Sequence, residues 1–397
     1  TTTIDNEHKI FNVPNLRFPE FQGEWQETRL KEISKFSKER LNSIELSCSN
    51  YVTTENMLQD YKGIVSATNL PTNTNVVKFS KGDVLLSNIR PYLKKVWYAD
   101  RNGGCSADVF VFKALPICNS NFLHHVIAND RFIKFVMGGA KGVKMPRGDK
   151  EQMITYKVGL PCIEEQKKIA NLLSLLDERI STQNKIIDKL QSLIKGIMVE
   201  LQKQGQNKGN WRNVLLSKVL TERDERNTNL YQVFSVSVSR GVINQVDYLG
   251  RSFAARDTSK YNVVHYGDLV YTKSPTGAYP YGIVKQNLNQ ENVAVSPLYG
   301  VYIPNSLSVG TYLHEYFRSE INTHNYLHPL IQKGAKNTIN ITNQRFLENS
   351  VPMPVCANEL LLISKLLISF NDKIKYQQSI LQQYQKQKQY LLRQMFI

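Results

Sequence analysis

The chain has 397 residues, of which 41% are hydrophobic and 10% aromatic, and this is the composition of a globular protein large enough for two cores. Lys and Arg outnumber Asp and Glu by 50 to 34, a formal net charge of +16, so the expected partner is a polyanion such as nucleic acid. Five scattered cysteines, with no Cys-x-x-Cys pair, predict reduced thiols rather than a disulfide framework or a metal site. We expect no signal peptide, and no apolar run reaches the roughly 18 residues of a membrane helix. We therefore expect a cytoplasmic protein without membrane contact.

The first half of the chain predicts an α/β (α+β) module over residues 1–160. A polar leader occupies residues 1–20 and is followed by Trp25. Apolar strand-like segments come next, one of them after the turn Gly82-Asp83, and a short helical pattern opens at Phe122. Strands and helices of this length are enough to enclose a core of their own.

A long helical pattern follows over residues 161–204. Alternating steps of four and three residues place its apolar side chains on one seam, which is typical of a coiled coil. The seam consists of Ile169, Leu173, Leu176, Ile180, Gln183, Ile187 and Leu190. Residues 203–210 are polar and contain two glycines, which predicts a linker into the second half.

The second half repeats the first, so we expect a second module of the same fold at residues 205–354 and a second long helix at 355–397. The offset between matched positions varies from 185 to 195 residues, as insertions and deletions between two diverged copies would produce. The matched landmarks are Trp25 and Trp211, Gly82-Asp83 and Gly267-Asp268, Phe122 and Tyr312, and Gly139-Ala-Lys and Gly334-Ala-Lys.

The two helices repeat most clearly. Residues 169–180 return as residues 363–374, an offset of 194 (363 − 169). The second seam consists of Ile363, Leu367, Phe370, Ile374, Gln377 and Leu381. A glutamine interrupts both seams at the same position, Gln183 and Gln377, and predicts either a hydrogen-bonded polar layer or side chains that reach solvent. The second seam weakens at Lys388.

Chain direction predicts how the helices pack. The first helix leads from module one to module two and the second starts at module two, so packing the seams together makes the pair antiparallel. Two helices of about 40 residues would span about 60 Å at 1.5 Å per residue. We expect two similar domains separated by a long antiparallel two-helix coiled coil, with an internal pseudo-twofold axis. The alternatives are that each helix packs on its own module, or that the helices pair in a homodimer.

Catalytic motifs are missing from the sequence. It has no phosphate-binding loop, no Asn-Pro-Pro-Tyr or Asp-Pro-Pro-Tyr methyltransferase motif, no dinucleotide fingerprint and no His-Glu-x-x-His metal helix. His124, His125 and His314 have no second cluster of ligands, so we interpret them as ordinary structural or surface residues. The sequence predicts a binding protein that is not an enzyme and has no cofactor or metal ion of its own.

The helix starts carry a family resemblance. The segment PCIEEQKKI at residues 161–169, which leads to Leu176-Asp177, resembles the conserved helical region of the specificity subunits of type I restriction-modification enzymes, with its Pro-x-x-x-Glu-Gln-x-x-Ile core. Residues 13–25 are similar to the usual start of such subunits, and the duplicated layout covers the whole chain. The second copy departs from the pattern, because Glu359 keeps the glutamate but Leu360 replaces the glutamine.

The resemblance implies a function. Each module would be a target recognition domain that reads one half of a gapped target in double-stranded DNA, and the helices would set the gap. Partners would be two modification (methyltransferase) subunits, which use S-adenosylmethionine, and restriction (motor and nuclease) subunits, which use ATP and Mg²⁺. The alternatives are a basic coiled-coil scaffold that joins protein partners without reading DNA, and an enzyme that cleaves or modifies DNA.

DNA contacts are expected from polar and cationic side chains on loops that can enter a groove. The candidates in module one are Ser87, Asn88, Arg90, Lys94, Lys95, Lys141, Lys144 and Arg147. The candidates in module two are Arg240, Lys273, Ser274, Thr276, Lys333, Lys336, Asn337 and Asn340. For any one of these residues the alternative is a solvated surface side chain.

Overall fold

The structure is a computed structural model that describes residues 13–333 and 339–397. The chain divides into two compact units. Unit 1 runs up to Lys185 and also contains Ser379–Ile397, whereas unit 2 is Ile186–Gln378. Each unit therefore holds one α/β module together with a segment of both long helices. No helix in the described residues is long and apolar enough to cross a membrane.

Unit 1 is built from short strands and helices. Its strands are β1 (Gln26–Arg29), β2 (Ser34–Phe36), β3 (Arg40–Asn42), β4 (Tyr51–Val52), β5 (Asn75–Phe79), β6 (Val84–Ser87), β7 (Val96–Tyr98), β8 (Gly103–Cys105), β9 (Val109–Ala114) and β10 (Lys157–Leu160). Its helices are α1 (Leu30–Ile33), α2 (Ser120–Ile127), α3 (Asp130–Gly138), α4 (Lys150–Met153) and the first part of α5 (Ile163–Asn207). The sheets have the orders β2-β9-β6-β7, β3-β5-β8-β4 and β1-β10.

Unit 2 has the following elements. Its strands are β11 (Trp211–Leu215), β12 (Leu220–Glu222), β13 (Phe234–Ser237), β14 (Gly241–Asn244), β15 (Asn262–Val264), β16 (Leu269–Tyr271), β17 (Val284–Gln286), β18 (Val293–Val295), β19 (Gly300–Pro304), β20 (Gln332–Lys333), β21 (Ile339–Asn340) and β22 (Ser350–Pro354). Its helices are α6 (Gln245–Leu249), α7 (Leu307–Tyr316), α8 (Glu320–Leu327), α9 (Asn343–Phe346) and the first part of α10 (Ala357–Gln394).

The two modules share a topology, which confirms the predicted repeat. The sheet β12-β19-β16-β17 has the same order as β2-β9-β6-β7, and the antiparallel pair β11-β22 corresponds to β1-β10. The Gly-Asp turns also match. Asp83 accepts a hydrogen bond from the Ser80 amide and Asp268 accepts one from the His265 amide, both at 2.8 Å. The preceding glycines have φ of 90° and 91°, where a side chain would be strained.

One predicted match between the copies, Gly139-Ala-Lys with Gly334-Ala-Lys, includes residues 334–336, which lie outside the described residues. Lys141 pairs with Arg147 across an antiparallel bridge, and Lys333 pairs with Ile339 in the same way. The two pairs are offset by 192 residues (333 − 141 and 339 − 147), whereas the predicted match has an offset of 195. In module one the Gly139 amide closes the C-terminus of α3 on the Val136 carbonyl.

The predicted linker is shorter than expected. Helix α5 continues to Asn207, so most of residues 203–210 is helical. Gly205 is buried within this part of the helix, and a Cβ atom there would clash with the ring of Trp211. The tryptophan therefore packs directly on the helix backbone, which a longer side chain at 205 would prevent.

The long helices pair within unit 1. Asp177 of α5 lies 2.5 Å from Lys388 of α10, and the Arg179 guanidinium lies 6.0 Å from the ring centroid of Tyr384. Positions rise along α5 as they fall along α10, so these segments are antiparallel and intramolecular. The predicted seam residues are all buried or half-buried in the two helices.

The second seam does not simply weaken at Lys388. The side chain of Lys388 is 11% exposed and pairs with Asp177, so a charged contact replaces an apolar one at this level. The repeat positions in unit 2 are Ile194 and Asn371 (offset 194). Ile194 is buried, and Asn371 donates instead to Glu315 at 2.8 Å. The two copies therefore have different interactions at the same positions of the repeat.

Each helix start is anchored to the tryptophan of its own module. Trp25 donates to Glu165 at 3.3 Å, and Trp211 donates to Glu359 at 2.8 Å. Glu165 also accepts two bonds of 2.8 Å from Arg17, whereas Glu359 accepts one of 3.1 Å from Asn210. The residues that differ next to these glutamates are both buried: Gln166 bonds the backbone of residues 117, 119 and 161, and Leu360 is an apolar replacement.

Candidate nucleic-acid interface

The loop after β6, residues 88–95 or loop 1, is held in an unusual conformation. Arg90 and Lys94 have φ of 52° and 54°, in the left-handed region that residues with side chains rarely adopt. The Arg90 amide donates to the Pro146 carbonyl at 2.8 Å. Left-handed residues of this kind persist where surrounding contacts hold them, and they concentrate at binding sites.

Residues 141–147 form a short hairpin, hairpin 1, that packs on loop 1. Lys141 and Arg147 exchange two backbone hydrogen bonds of 2.9 Å, and Arg147 also forms a bridge with Ile89. The Gly148 amide donates to the Asn88 carbonyl at 3.3 Å. Two sets of predicted residues that lie about fifty positions apart in the sequence therefore form one surface, basic surface 1.

Three of the six cations of basic surface 1 already face a carboxylate. Lys94 lies 2.9 Å from Asp130, and Lys141 lies 2.7 Å from Asp149, an interaction that lowers the pKa of this carboxyl. Arg147 lies 3.4 Å from Asp108. Exposed pairs of this kind contribute about 0.2–1 kcal/mol each, so a phosphate could replace the carboxylate at little cost. Lys144 is exposed and has no ion pair within the described part of the chain.

Two of the predicted residues support the loop rather than face solvent. Ser87 is 1% exposed and donates to the Ile89 carbonyl at 3.1 Å, so its predicted DNA contact is wrong for this conformation. Lys95 donates to the Thr54 carbonyl at 2.5 Å, and burial lowers the pKa of this ammonium group. Asn88 and Arg90 are half-buried, and each has one buried polar atom, Oδ1 and Nε, with no hydrogen bond among the described residues.

The equivalent loop of unit 2, residues 272–283 or loop 2, follows β16. Thr276 and Tyr279 exchange two backbone hydrogen bonds of 3.0 Å, and the Tyr279 hydroxyl donates to the Arg318 carbonyl at 2.7 Å. Ser274 is exposed beside this turn. Lys273 is half-buried, and desolvation lowers its pKa. Loop 2 thus exposes Ser274, whereas Lys273 and Thr276 are both half-buried.

Three of the remaining predicted residues of unit 2 lie in or between paired strands. Lys333 is in β20 and Asn340 is in β21, which pair antiparallel as Lys141 and Arg147 do in unit 1. Lys336 and Asn337 lie outside the described residues. Arg240 is exposed at the turn between β13 and β14, with its guanidinium 5.7 Å from the ring centroid of Tyr248.

The segment after Arg240 contains exposed side chains that sequence reasoning missed. Arg251 lies 4.5 Å from the ring centroid of Phe253, which is 58% exposed, and Tyr248 is 39% exposed. Exposed aromatic rings beside guanidinium groups are suited to stacking on nucleic-acid bases. The signal was present in the sequence, since residues 248–256 interleave two aromatic residues with two arginines.

Two of the histidines, His125 and His314, have structural roles. His125 is fully buried, and burial lowers its pKa well below the ordinary value. His314 accepts a hydrogen bond at Nδ1 from the Gln286 amide at 2.9 Å, and burial lowers its pKa in the same way. In residues 13–333 and 339–397, no group of three or more His, Cys, Asp or Glu side chains is arranged to hold a metal ion.

Comparison with known proteins gives a family match over part of the chain. Residues 22–192 match the family described as the type I restriction modification DNA specificity domain. The chain is 27% identical over 216 residues to the specificity subunit of the type I restriction enzyme MjaVIII from Methanocaldococcus jannaschii, a match that covers 50% of this chain and 46% of that one. It is 19% identical over 206 residues to the EcoDI specificity subunit from Escherichia coli, with the same shares covered. The chain thus spans about half the length of the curated relatives it matches.

A solved structure agrees with the fold. The S subunit of a type I restriction-modification system from M. genitalium superposes with a TM-score of 0.63 at 12% identity, covering 97% of this chain and 99% of that one. The likeness extends over both units. Residues 22–192 thus match a type I restriction modification DNA specificity domain, and the fold of the chain is similar to that of an S subunit.

Proposed function

We propose that this chain is a non-catalytic subunit that binds double-stranded DNA at a bipartite, gapped target and directs methylation and restriction by partner subunits. Each α/β module reads one half-site. The chemistry of methyl transfer, with S-adenosylmethionine, and of restriction, with ATP and Mg²⁺, resides in the partners. The chain contributes recognition and geometry.

The observation that carries this proposal is the repetition of the candidate surface. In unit 1 the loop after β6 packs against a hairpin that contains Lys141, and in unit 2 the loop after β16 and a hairpin that contains Lys333 occupy the same places in the topology. The scaffold is shared, but the side chains differ. Two modules of this kind predict two half-sites with unrelated sequences. The net charge of +16 supports phosphate contacts at both.

Mapping of methylated adenines tests the proposal directly. Genomes of cells with and without the chain, both expressing the modification and restriction subunits, should differ at one bipartite motif. Exchange of residues 21–160 for the equivalent module of another specificity subunit should change one half of that motif and leave the other half unchanged. Loss of methylation without a new motif, or a change in both halves, would contradict reading by separate modules.

The lengths of the two long helices are proposed to set the gap between the two half-sites of the DNA target. Helix α5 is continuous for 45 residues, and the two units divide it between Lys185 and Ile186. Insertion of one heptad after Lys185 and one after Gln378 keeps the seam pattern in both helices. Seven residues add about 10 Å of helix, and the gap should grow by about 3 base pairs while the bases read stay the same. A gap that does not change would mean that the helices are not the spacer. Insertion of four residues, which breaks the seam, is the control.

Exposed apolar side chains on the helices are proposed to bind the modification subunits. Leu362 is 68% exposed and Leu366 is 43% exposed, one turn apart on α10. Replacement of both by aspartate should reduce the amount of modification subunit that copurifies with the chain. Lys365, which is also exposed on this part of α10, is the matched control, and Lys365→Ser should leave assembly unchanged. Unchanged copurification of the leucine variant would place the partner elsewhere, and equal loss in both variants would mean that the apolar side chains do not determine binding.

A further inference from the structure

Hairpin 1 carries two apolar side chains at its most exposed point. Val143 is 103% exposed and Met145 is 50% exposed. Neither contributes to the core of unit 1, whereas Pro146 next to them is buried. Single exposed apolar residues are common on protein surfaces. Hairpin 1, however, exposes two apolar side chains within three positions and is otherwise basic. Such a surface is suited to a ligand with both apolar and anionic parts.

The tip is held rigidly in place. Gly142 has a φ of 94°, which turns the chain, and the hairpin is closed by the two hydrogen bonds between Lys141 and Arg147. Its base is fixed to loop 1 through the Pro146 carbonyl and the bridge to Ile89. A tip fixed in this way loses little conformational freedom when it is inserted into a ligand.

The cations of hairpin 1 differ in whether a carboxylate lies next to them. Lys141 and Arg147, at the base of the hairpin, face Asp149 and Asp108. Lys144, between the two apolar residues, is the tip cation without an ion pair in the described residues. The tip thus offers one ammonium group for a phosphate and an aliphatic side chain on each side of it for bases.

We propose that Val143, together with Met145, is a wedge that inserts between two base pairs of the half-site bound by unit 1, while Lys144 binds an adjacent phosphate. Apolar side chains flanked by cations unstack base steps in proteins that bend DNA. The wedge deepens the proposed function and rests on it. Its role is to read how easily one base step opens, so that specificity at that step comes from deformability rather than from hydrogen bonds.

The two modules differ at this point. The corresponding sequence in module two is Lys333-Gly-Ala-Lys336-Asn337, in which Ala335 and Asn337 replace the valine and the methionine. Those residues are too small or too polar to act as an aliphatic wedge. We therefore expect unstacking in the half-site of module one and none at the corresponding position in the other.

Fluorescence of 2-aminopurine tests the wedge. The probe is a duplex with the target mapped by methylation, with 2-aminopurine placed at each step of the first half-site in turn. The full chain is used without modification subunits, so that no methyltransferase flips a base. Binding of the wild-type chain should raise the fluorescence several-fold at one step. Val143→Ala with Met145→Ala should abolish that rise, and since both side chains are exposed, the fold should not change.

Two control variants separate the wedge from other effects. Ile117 is 55% exposed and follows β9 at the end opposite to loop 1, so Ile117→Ala should keep the full fluorescence rise. Lys144→Ala should weaken binding and reduce the slope of log K against log salt by about one, while the rise at saturation is retained.

Four outcomes overturn the proposal in different ways. If genome mapping finds no bipartite motif that depends on the chain, the proposed function itself fails; if the motif exists but anisotropy shows that the wild-type chain binds its duplex no better than an unrelated duplex, the chain does not insert a wedge by itself and the inference is wrong. If the chain binds but no step becomes fluorescent, the wedge is wrong and the function stands. If thymine-to-uracil replacement weakens binding as much as Val143→Ala does, and 2-aminopurine stays quenched, the tip reads a thymine methyl group instead.

Discussion

The ion pair between Asp177 and Lys388 offers a test of the repeat that uses the protein's own second copy. The repeat positions in unit 2 are Asn371 and Ile194. The double variant Asp177→Asn, Lys388→Ile therefore writes the residues of one copy into the other. Lys388→Ala is the comparison, because it removes one partner and leaves the other charge in place.

The magnitude follows from burial. Removal of one partner from a buried pair typically costs about 3–5 kcal/mol, because it leaves an uncompensated charge. The side chain of Lys388 is 11% exposed but that of Asp177 is 35% exposed, so water screens the remaining carboxylate. We expect Lys388→Ala to lower the free energy of unfolding of unit 1 by about 2 kcal/mol. Replacement of a buried ion pair by apolar groups of similar volume is neutral or stabilising by about 1–4 kcal/mol. The double variant leaves no uncompensated charge, but its Asn is polar rather than apolar, so we expect it to lie within about 1 kcal/mol of the wild type.

The assay must distinguish unit 1 from unit 2, since a chain of two units need not unfold in one step. Urea titration with hydrogen exchange read by mass spectrometry on peptides from residues 379–394 reports the C-terminal part of α10, which belongs to unit 1. A double variant as unstable as Lys388→Ala would refute the equivalence of the two positions. A loss below about 0.5 kcal/mol for Lys388→Ala would show that the pair behaves as a surface contact.

Three further predictions concern stability. Burial lowers the pKa of Lys285 to about 8 from its ordinary 10.5, so the unfolded chain binds more protons than the folded chain between these two pH values. The free energy of unfolding of unit 2 should therefore rise by about 3 kcal/mol as the pH rises from the lower value to the higher. Denaturation curves of Lys285→Met should not show that rise. Glu165→Gln leaves the guanidinium of Arg17, whose side chain is 14% exposed, without its counter-charge and should cost about 2 kcal/mol by urea unfolding, whereas a loss near zero would mean that the pair does not hold the leader. Gly205→Ala should destabilise by about 1–3 kcal/mol because its Cβ meets the tryptophan that opens β11, whereas Gly196→Ala, with no atom within 4 Å, should stabilise by about 1 kcal/mol; stabilisation in both would show that the ring moves away freely.

Local and periodic features of this protein were determined by the sequence alone. The seam of α5 and the Gly-Asp turns depend on residues within a few positions of each other, and their spacing predicts helix or turn directly. The match of residues 169–180 with 363–374 came from comparing one part of the sequence with another. The α/β class followed from the local patterns, and the resemblance to specificity subunits rested on residues 161–169. The interleaved arginines and aromatic residues of 248–256 are also a local pattern that the sequence alone displays.

Long-range pairing was decided only by the tertiary structure. Whether Lys141 matches Lys333 or Lys336 depends on strand register, and the pairs Lys141–Arg147 and Lys333–Ile339 give an offset that the repeated Gly-Ala-Lys letters do not indicate. The burial of Ser87 and the partner of Lys388 were decided in the same way. Both depend on what the chain brings alongside them from distant positions, and no local pattern in an amino-acid sequence records that neighbour.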